Sequence, residues 1–265
     1  MAGGKLTPRQ KMINLMYLVF IAMLAMNMSK EVLSAFGLMN EKFEASNTSS
    51  LKSNEQSLAA LDLKAKENKG EFINAAATAH KVSDASKKFY AFIETLKKEN
   101  MEGTEPEDGK LPYEAMDKAD ILDNSWFTGD GYTKRGNEVI VAIESYKSEV
   151  KAALSDPKYK NIVNQLNDAF NTSDVKNKEG VSIKFLDYHF KGFPQIASLA
   201  KLSAWQSDVI KIETDVINSA LGKAAVDESS YSKFEAIVVL DKNAYFAGEQ
   251  VSGKVVLGKY DPNAK

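Results

Sequence analysis

The stretch that decides how this chain is organised runs from Met12 to Met28, MINLMYLVFIAMLAMNM. It carries no charged side chain, and only Asn14 and Asn27, near its ends, interrupt the apolar run. At about 1.5 Å per residue such a helix is roughly 25 Å long, slightly shorter than the hydrocarbon layer of a bilayer. The pattern predicts a short transmembrane helix at 12–28 that needs its flanking residues, or a thinner bilayer, to span.

Two alternatives to a spanning helix stay open, a cleaved signal peptide and a buried core helix. Lys5, Arg9 and Lys11 before an apolar run match the layout of a secretory signal, but signal peptidase requires small residues at two defined positions. Each position that would pair with Ala25 holds a larger residue, so an uncleaved anchor is favoured. The cations before the span place the tail, residues 1–11, in the cytoplasm and the body of the chain outside.

The first turn of this helix contains its most informative residue. Thr7 fits an N-cap, Pro8 the first helical position, and Gln10 the partner position of a capping box, so Arg9 is already helical. A span of about 20 residues counted back from Met28 reaches Arg9 and leaves its guanidinium at the membrane boundary. Arg9 is either one of several cations that fix the topology or the partner of a carboxylate in another membrane helix.

Because an α-helix turns by about 100° per residue, the side chains of this segment fall into two groups on opposite faces. The face of Arg9, a candidate contact with a membrane partner, carries Ile13, Met16, Tyr17 and Phe20. The opposite face carries Asn14, Leu18, Ala22, Ala25 and Ser29. Small residues four apart let two backbones approach, which makes this face a candidate homodimer seam, although small residues are common in any membrane helix. Tyr17 lies too deep for an interfacial belt, so its hydroxyl needs a partner.

The segment from 29 to 225 has the pattern of a helical bundle. A heptad seam on the helix that leaves the membrane is predicted from Val32, Phe36, Met39 and Phe43. The polar residues 47–50 are compatible with a continuous, a kinked or an interrupted helix. Apolar faces then predict helices within 51–65, 72–96, 113–122, 139–154, 159–170 and 196–221, the last ending at Gly222.

Near Ser232 the pattern changes from a helical to an alternating period. Residues 234–240 and 251–257 predict strands separated by turns. Two strands do not make a stable sheet by themselves. We therefore expect 231–265 to be the start of a β-sandwich that a longer natural chain completes, the alternative being completion by a second copy.

The composition and the motif search exclude several classes of function. A net charge of −2 over 265 residues argues against a nucleic-acid binder, and the absence of cysteine removes disulfides, thiol nucleophiles and zinc–thiolate sites. Residues 248–254, GEQVSGK, match the beginning of a phosphate-binding loop, but Val255 replaces the hydroxyl residue and a strand follows. His80 and His189 have no motif neighbours. We predict no enzyme activity, no metal site and no cofactor.

Long runs of the sequence resemble one family over essentially the whole chain. They are MAGGKLTPRQKMINLMYLVFIAMLAMNMSKEVLSAFGLMNEKFE, PYEAMDKAD, WFTGDGY, YHFKGFPQIASLAKLSAWQ and IVVLDKNAYFAGEQVSGKVVLGKYD. They are similar to GldM, called PorM in non-gliding relatives, the inner-membrane motor component of the Bacteroidota type IX secretion and gliding-motility machinery. The resemblance implies a mainly α chain with one membrane helix, a periplasmic bundle and the first strands of an immunoglobulin-like sandwich.

The resemblance also implies partners and a mechanism. In the family, the membrane helices of a homodimer sit inside a pentamer of polytopic GldL, proton motive force drives rotation, and further C-terminal domains reach outer-membrane-associated ring components. Arg9 matches the basic residue that faces an essential membrane glutamate of GldL, and Tyr17 matches a tyrosine on the same side. The alternative is a passive single-pass periplasmic scaffold or adhesin without energy transduction.

Overall fold

The computed structural model describes residues 7–26, 30–67, 71–106, 109–129, 131–228, 234–240 and 253–259. Its α-helices, in chain order, are α1 (Pro8–Met26), α2 (Lys30–Glu67), α3 (Glu71–Asn100), α4 (Asp120–Trp126), α5 (Lys134–Ala153), α6 (Lys160–Ala169), α7 (Phe185–His189) and α8 (Gln195–Glu228). Short 3₁₀ turns cover Tyr113–Ala115 and Pro157–Tyr159. The mainly α architecture predicted from the sequence is confirmed.

The described strands form three separate antiparallel pairs. The strands are β1 (Phe127–Thr128), β2 (Gly131–Tyr132), β3 (Val175–Lys176), β4 (Ser182–Ile183), β5 (Phe234–Leu240) and β6 (Gly253–Lys259). Each strand pairs with its neighbour in the sequence, and in the longest pair Phe234 lies opposite Lys259. The strand predicted at 234–240 is confirmed, whereas the β-sandwich that it would begin stays a prediction.

The three long helices of the bundle, α2, α3 and α8, pack against one another. Hydrogen bonds join later residues of α2 to later residues of α8, so these helices run parallel, whereas α3 runs antiparallel to both. The antiparallel order of α2 and α3 follows from the short connection between them, as the sequence predicts.

The main apolar core lies where α3 and α8 meet α5 and α6. Within it the rings of Phe89 and Tyr146 stack with their centroids 4.8 Å apart. The ring of Phe170 meets Phe89 edge-on, with a distance of 5.6 Å between the two centroids. Burying an apolar side chain of this size stabilises the fold by about 1.5–3 kcal/mol.

Two sequence expectations about the helices are wrong. Helix α8 does not stop at Gly222 but continues to Glu228, because one glycine inside a helix costs only about 1 kcal/mol. The helix expected over 113–122 is a 3₁₀ turn followed by α4, which begins at Asp120. The heptad seam predicted on α2 stays a prediction, since Val32 and Met39 are 41% and 49% exposed and do not belong to the core of the bundle.

Candidate functional site

Helix α1 begins where the capping pattern predicts. The backbone N–H of Gln10 donates to the Thr7 hydroxyl over 3.3 Å, and that of Lys11 donates to the Thr7 carbonyl over 3.0 Å. These bonds satisfy donors that the first helical turn otherwise leaves free. Arg9 therefore lies inside the first turn, as the sequence predicts.

The predicted partner face and dimer seam lie along α1, and every side chain described on them is exposed. The exposed residues are Arg9, Ile13, Asn14, Met16, Tyr17, Leu18 and Phe20. Ala22 and Ala25 belong to α1, but their side chains and the whole of Ser29 lie outside the described residues. The roles of both faces stay predictions. In the described part of the chain, no helix is both long enough and apolar enough to cross a membrane.

Three asparagines of α2, each seven residues after the last, are buried against α8. Asn40, Asn47 and Asn54 are 5%, 2% and 4% exposed. Asn47 uses both ends of its amide, because Nδ2 donates to the Ser203 carbonyl over 3.0 Å and Oδ1 accepts from the Ser207 hydroxyl over 2.6 Å. One buried amide of α2 is thereby satisfied by one turn of α8.

Asn54 repeats this contact one heptad further along. Its Nδ2 donates to the Ile210 carbonyl over 3.2 Å, and its Oδ1 accepts from the Thr214 hydroxyl over 2.8 Å. Nearer the start of α2, Asn40 Oδ1 accepts from the Ser203 hydroxyl over 2.7 Å. We call these asparagines and their partners on α8 the polar ladder. Because each buried amide needs its partner at one height, the ladder fixes the axial register of the two helices.

Replacing Asn47 with alanine is expected to lower the free energy of unfolding by about 1–3 kcal/mol, because buried partners on α8 lose their hydrogen bonds. Urea denaturation followed by circular dichroism measures this change. Asn74 of α3 is exposed and serves as the matched control, since its replacement by alanine should change stability by less than about 0.5 kcal/mol. Equal effects of the two substitutions would show that the ladder contributes nothing.

A buried lysine of α3 joins all three long helices. Lys97 is 5% exposed, and its ammonium pairs with Glu44 of α2. The same Nζ lies 3.3 Å from Glu94 Oε2 and donates to Gln206 Oε1 over 2.9 Å. Burial alone would raise the pKa of Glu94, but the hydrogen bond from Gln206 and the charge of Lys97 hold it below its ordinary value. We call these four residues the lysine cluster.

Sequence reasoning missed both the polar ladder and the lysine cluster. The one sequence feature that could have indicated the ladder is the heptad spacing of Asn40, Asn47 and Asn54. A polar residue at a single buried heptad position is known to specify register, so a repeated one is informative. Lys97 and Lys98 look alike in sequence, and only the fold buries the first.

Another half-buried lysine is surrounded by aromatic rings. Lys201 of α8 places its Nζ 3.4 Å from the ring centroid of Phe193 and 5.7 Å from that of Phe190, and it donates to the His189 carbonyl. The negative faces of the rings attract the ammonium. Burial nevertheless lowers the pKa of Lys201 to about 8, because the charged form loses its hydration.

The stability of the protein is expected to rise with pH above 8 through Lys201. The pKa of Lys201 is about 8 in the folded chain, against an ordinary value of 10.5. Between these two pH values the unfolded chain holds a proton that the folded chain lacks. Raising the pH therefore favours folding. Urea denaturation at about pH 7.5 and about pH 9.5 measures the rise, which Lys201→Met should remove and Lys211→Met should keep. The two pH values stay below 10 because of Tyr90 and Tyr113, whose pKa is raised to about 12. Above pH 10 these tyrosines hold protons in the folded chain that the unfolded chain has lost, so they lower the stability as the pH rises. The same pH dependence in the wild-type chain and in Lys201→Met would exclude this residue as the cause.

These features define the class of the protein as an α-helical bundle whose long helices are held in register by buried polar contacts. The comparisons with known proteins specify it further. A family model described as the GldM N-terminal domain matches residues 31–223, and one described as the GldM second domain matches residues 225–265. A search of curated proteins found no match. The chain belongs to the GldM family, a component of the gliding-motility and type IX secretion machinery.

Proposed function

We propose that this chain is a non-enzymatic subunit of a rotary motor that uses proton motive force to power type IX secretion and gliding. The observation that carries the proposal is Arg9 in the first turn of α1, followed by a helix whose described apolar side chains are exposed on every side. A helix that is apolar all round suits a surrounding of lipid or of other membrane helices. Because the described part of α1 is too short and too polar to span by itself, the proposal has segment 12–28 cross the inner membrane with its flanking residues drawn into the bilayer, which leaves the bulk of the chain in the periplasm.

In this motor, two copies of α1 from a homodimer lie inside a ring, a pentamer, of a polytopic GldL-like partner. Arg9 faces a carboxylate of the ring. When that carboxylate loses its proton it is attracted to Arg9, and when it regains the proton the attraction ends, so protonation biases the angle of α1 against the ring. The other residues of the partner face are Ile13, Met16, Tyr17 and Phe20, and those of the dimer seam are Asn14, Leu18, Ala22, Ala25 and Ser29.

The bundle carries the rotation away from the membrane. Helix α2 follows α1 in the sequence, and α8 leads towards β5 and the second matched domain. Because the polar ladder and the lysine cluster join α2, α3 and α8 at several heights, a twist applied to α2 is passed to α8. Further domains of the natural protein would pass it to outer-membrane-associated ring components.

The topology in this proposal is testable with single cysteines, because these 265 residues contain none. Lys81 is exposed on α3, so a membrane-impermeant maleimide should label a Lys81→Cys variant in cells with a permeabilised outer membrane. A Lys5→Cys variant should be labelled only after the inner membrane is opened. Labelling of both variants in intact spheroplasts would contradict a cytoplasmic tail.

The function itself is tested by removing the charge of Arg9. A passive scaffold or adhesin, which is the alternative function, needs α1 only as an anchor and tolerates this change. A motor subunit does not, since the attraction that turns the helix is lost.

A further inference from the structure

A cavity of about 230 Å³ opens between α2, α3 and α8, beside the Asn54 end of the polar ladder. Its apolar lining comes from Leu51, Val209 and Ile210. A water molecule occupies about 30 Å³ in the liquid, so the space holds a small organic group rather than a single water.

The deepest charged group on the cavity wall is a carboxylate without a cation. Glu213 of α8 is 5% exposed, and it accepts a hydrogen bond from Asn54 Nδ2 at 3.4 Å. No ion pair formed within the described residues includes Glu213. A buried carboxylate without a positive partner is costly, so this position favours a ligand that brings positive charge.

A buried hydroxyl lies on the same wall. Ser86 of α3 is 2% exposed and lines the cavity. The hydroxyl of Tyr146 lies next to it, yet neither oxygen makes a hydrogen bond of good geometry within the described residues. The wall therefore offers a carboxylate, which only accepts hydrogen bonds, and a hydroxyl, which accepts as well as donates.

We propose that this cavity binds a small alkylammonium group. An ammonium carries three N–H donors and a full positive charge, which match Glu213 and Ser86, while its alkyl chain covers the apolar lining. Glu55 lies at the exposed rim and suits a second ammonium, so a short diamine fits the cavity better than a monoamine. Lys87 lies at the same rim and is the competing source of positive charge.

Calorimetric titration of the 265-residue chain in detergent with 1,4-diaminobutane tests the proposal. We expect saturable binding, and no binding of 1,4-butanediol, which has the same length without charge. A Glu213→Gln variant should bind the diamine at least about tenfold more weakly, because it loses a charge-assisted hydrogen bond. The same change at the exposed Glu102 is the matched control and should leave binding unchanged.

Two further measurements keep the test decisive. A Lys87→Met variant removes the competing ammonium, so it should bind the diamine as well as or better than the wild-type chain. Titration with Nα-acetyl-lysine amide identifies the source of the ligand: tighter binding than the diamine indicates a lysine side chain of another protein, and weaker binding indicates a free amine. If neither amine binds the wild-type chain or Lys87→Met, the proposal is wrong.

Discussion

Replacing Arg9 with alanine is expected to reduce type IX secretion to the level of cells that lack the protein, while the chain remains in the membrane as a dimer with its partners. Without the guanidinium, the carboxylate of the ring has no cation to attract when it loses its proton, so protonation no longer biases the angle of α1. The measurements are the amount of a secreted cargo in the medium and the recovery of the partner complex after mild solubilisation.

Two neighbouring substitutions serve as controls for Arg9. Arg9→Lys keeps the charge but not the planar guanidinium, so partial secretion is expected. Lys11→Ala removes a cation that only helps to set the topology, and secretion should be close to normal. Normal secretion with Arg9→Ala would instead favour the passive scaffold.

Replacing Lys97 with alanine is expected to lower the free energy of unfolding by about 3 kcal/mol, the largest stability effect that we predict for the bundle. The ammonium is the positive group between Glu44 and Glu94, and its loss leaves two carboxylates facing each other with Gln206. Both carboxylates are about 40% exposed, so water compensates part of the loss. Urea denaturation measures the change.

Lys98→Ala is the matched control for Lys97, because Lys98 is the next residue of the same helix and is exposed. Its effect should stay within about 0.5 kcal/mol. A loss below 1 kcal/mol for Lys97→Ala would mean that the lysine cluster is not a structural tie between the three helices. The proposed route of rotation through the bundle would then depend on the polar ladder alone.

The sequence predicts those features whose causes are local. The N-terminus of α1 follows from Thr7, whose hydroxyl needs only a backbone N–H three residues away. The long helices follow from apolar residues repeated along one segment. Strand β5 follows from an alternating pattern within 234–240.

The sequence fails where a distant partner decides burial. Hydrophobic periodicity selects Val32 and Met39 as the apolar seam of α2 and gives no reason to bury an asparagine, because an unpaired buried amide is unfavourable. In the fold, Asn47 is buried since Ser203 and Ser207, more than 150 residues away, satisfy it. No pattern along α2 alone contains that information, and the same holds for the partners of Lys97.

The most direct test of the motor is the distance from the guanidinium of Arg9 to the nearest carboxylate of a partner membrane helix, measured in a structure of the intact complex in lipid. We expect a carboxylate oxygen within about 3 Å of an Arg9 nitrogen in at least one protomer. A guanidinium surrounded only by water or lipid phosphate in every state of the cycle, with no protein carboxylate within about 6 Å, would contradict the proposed coupling.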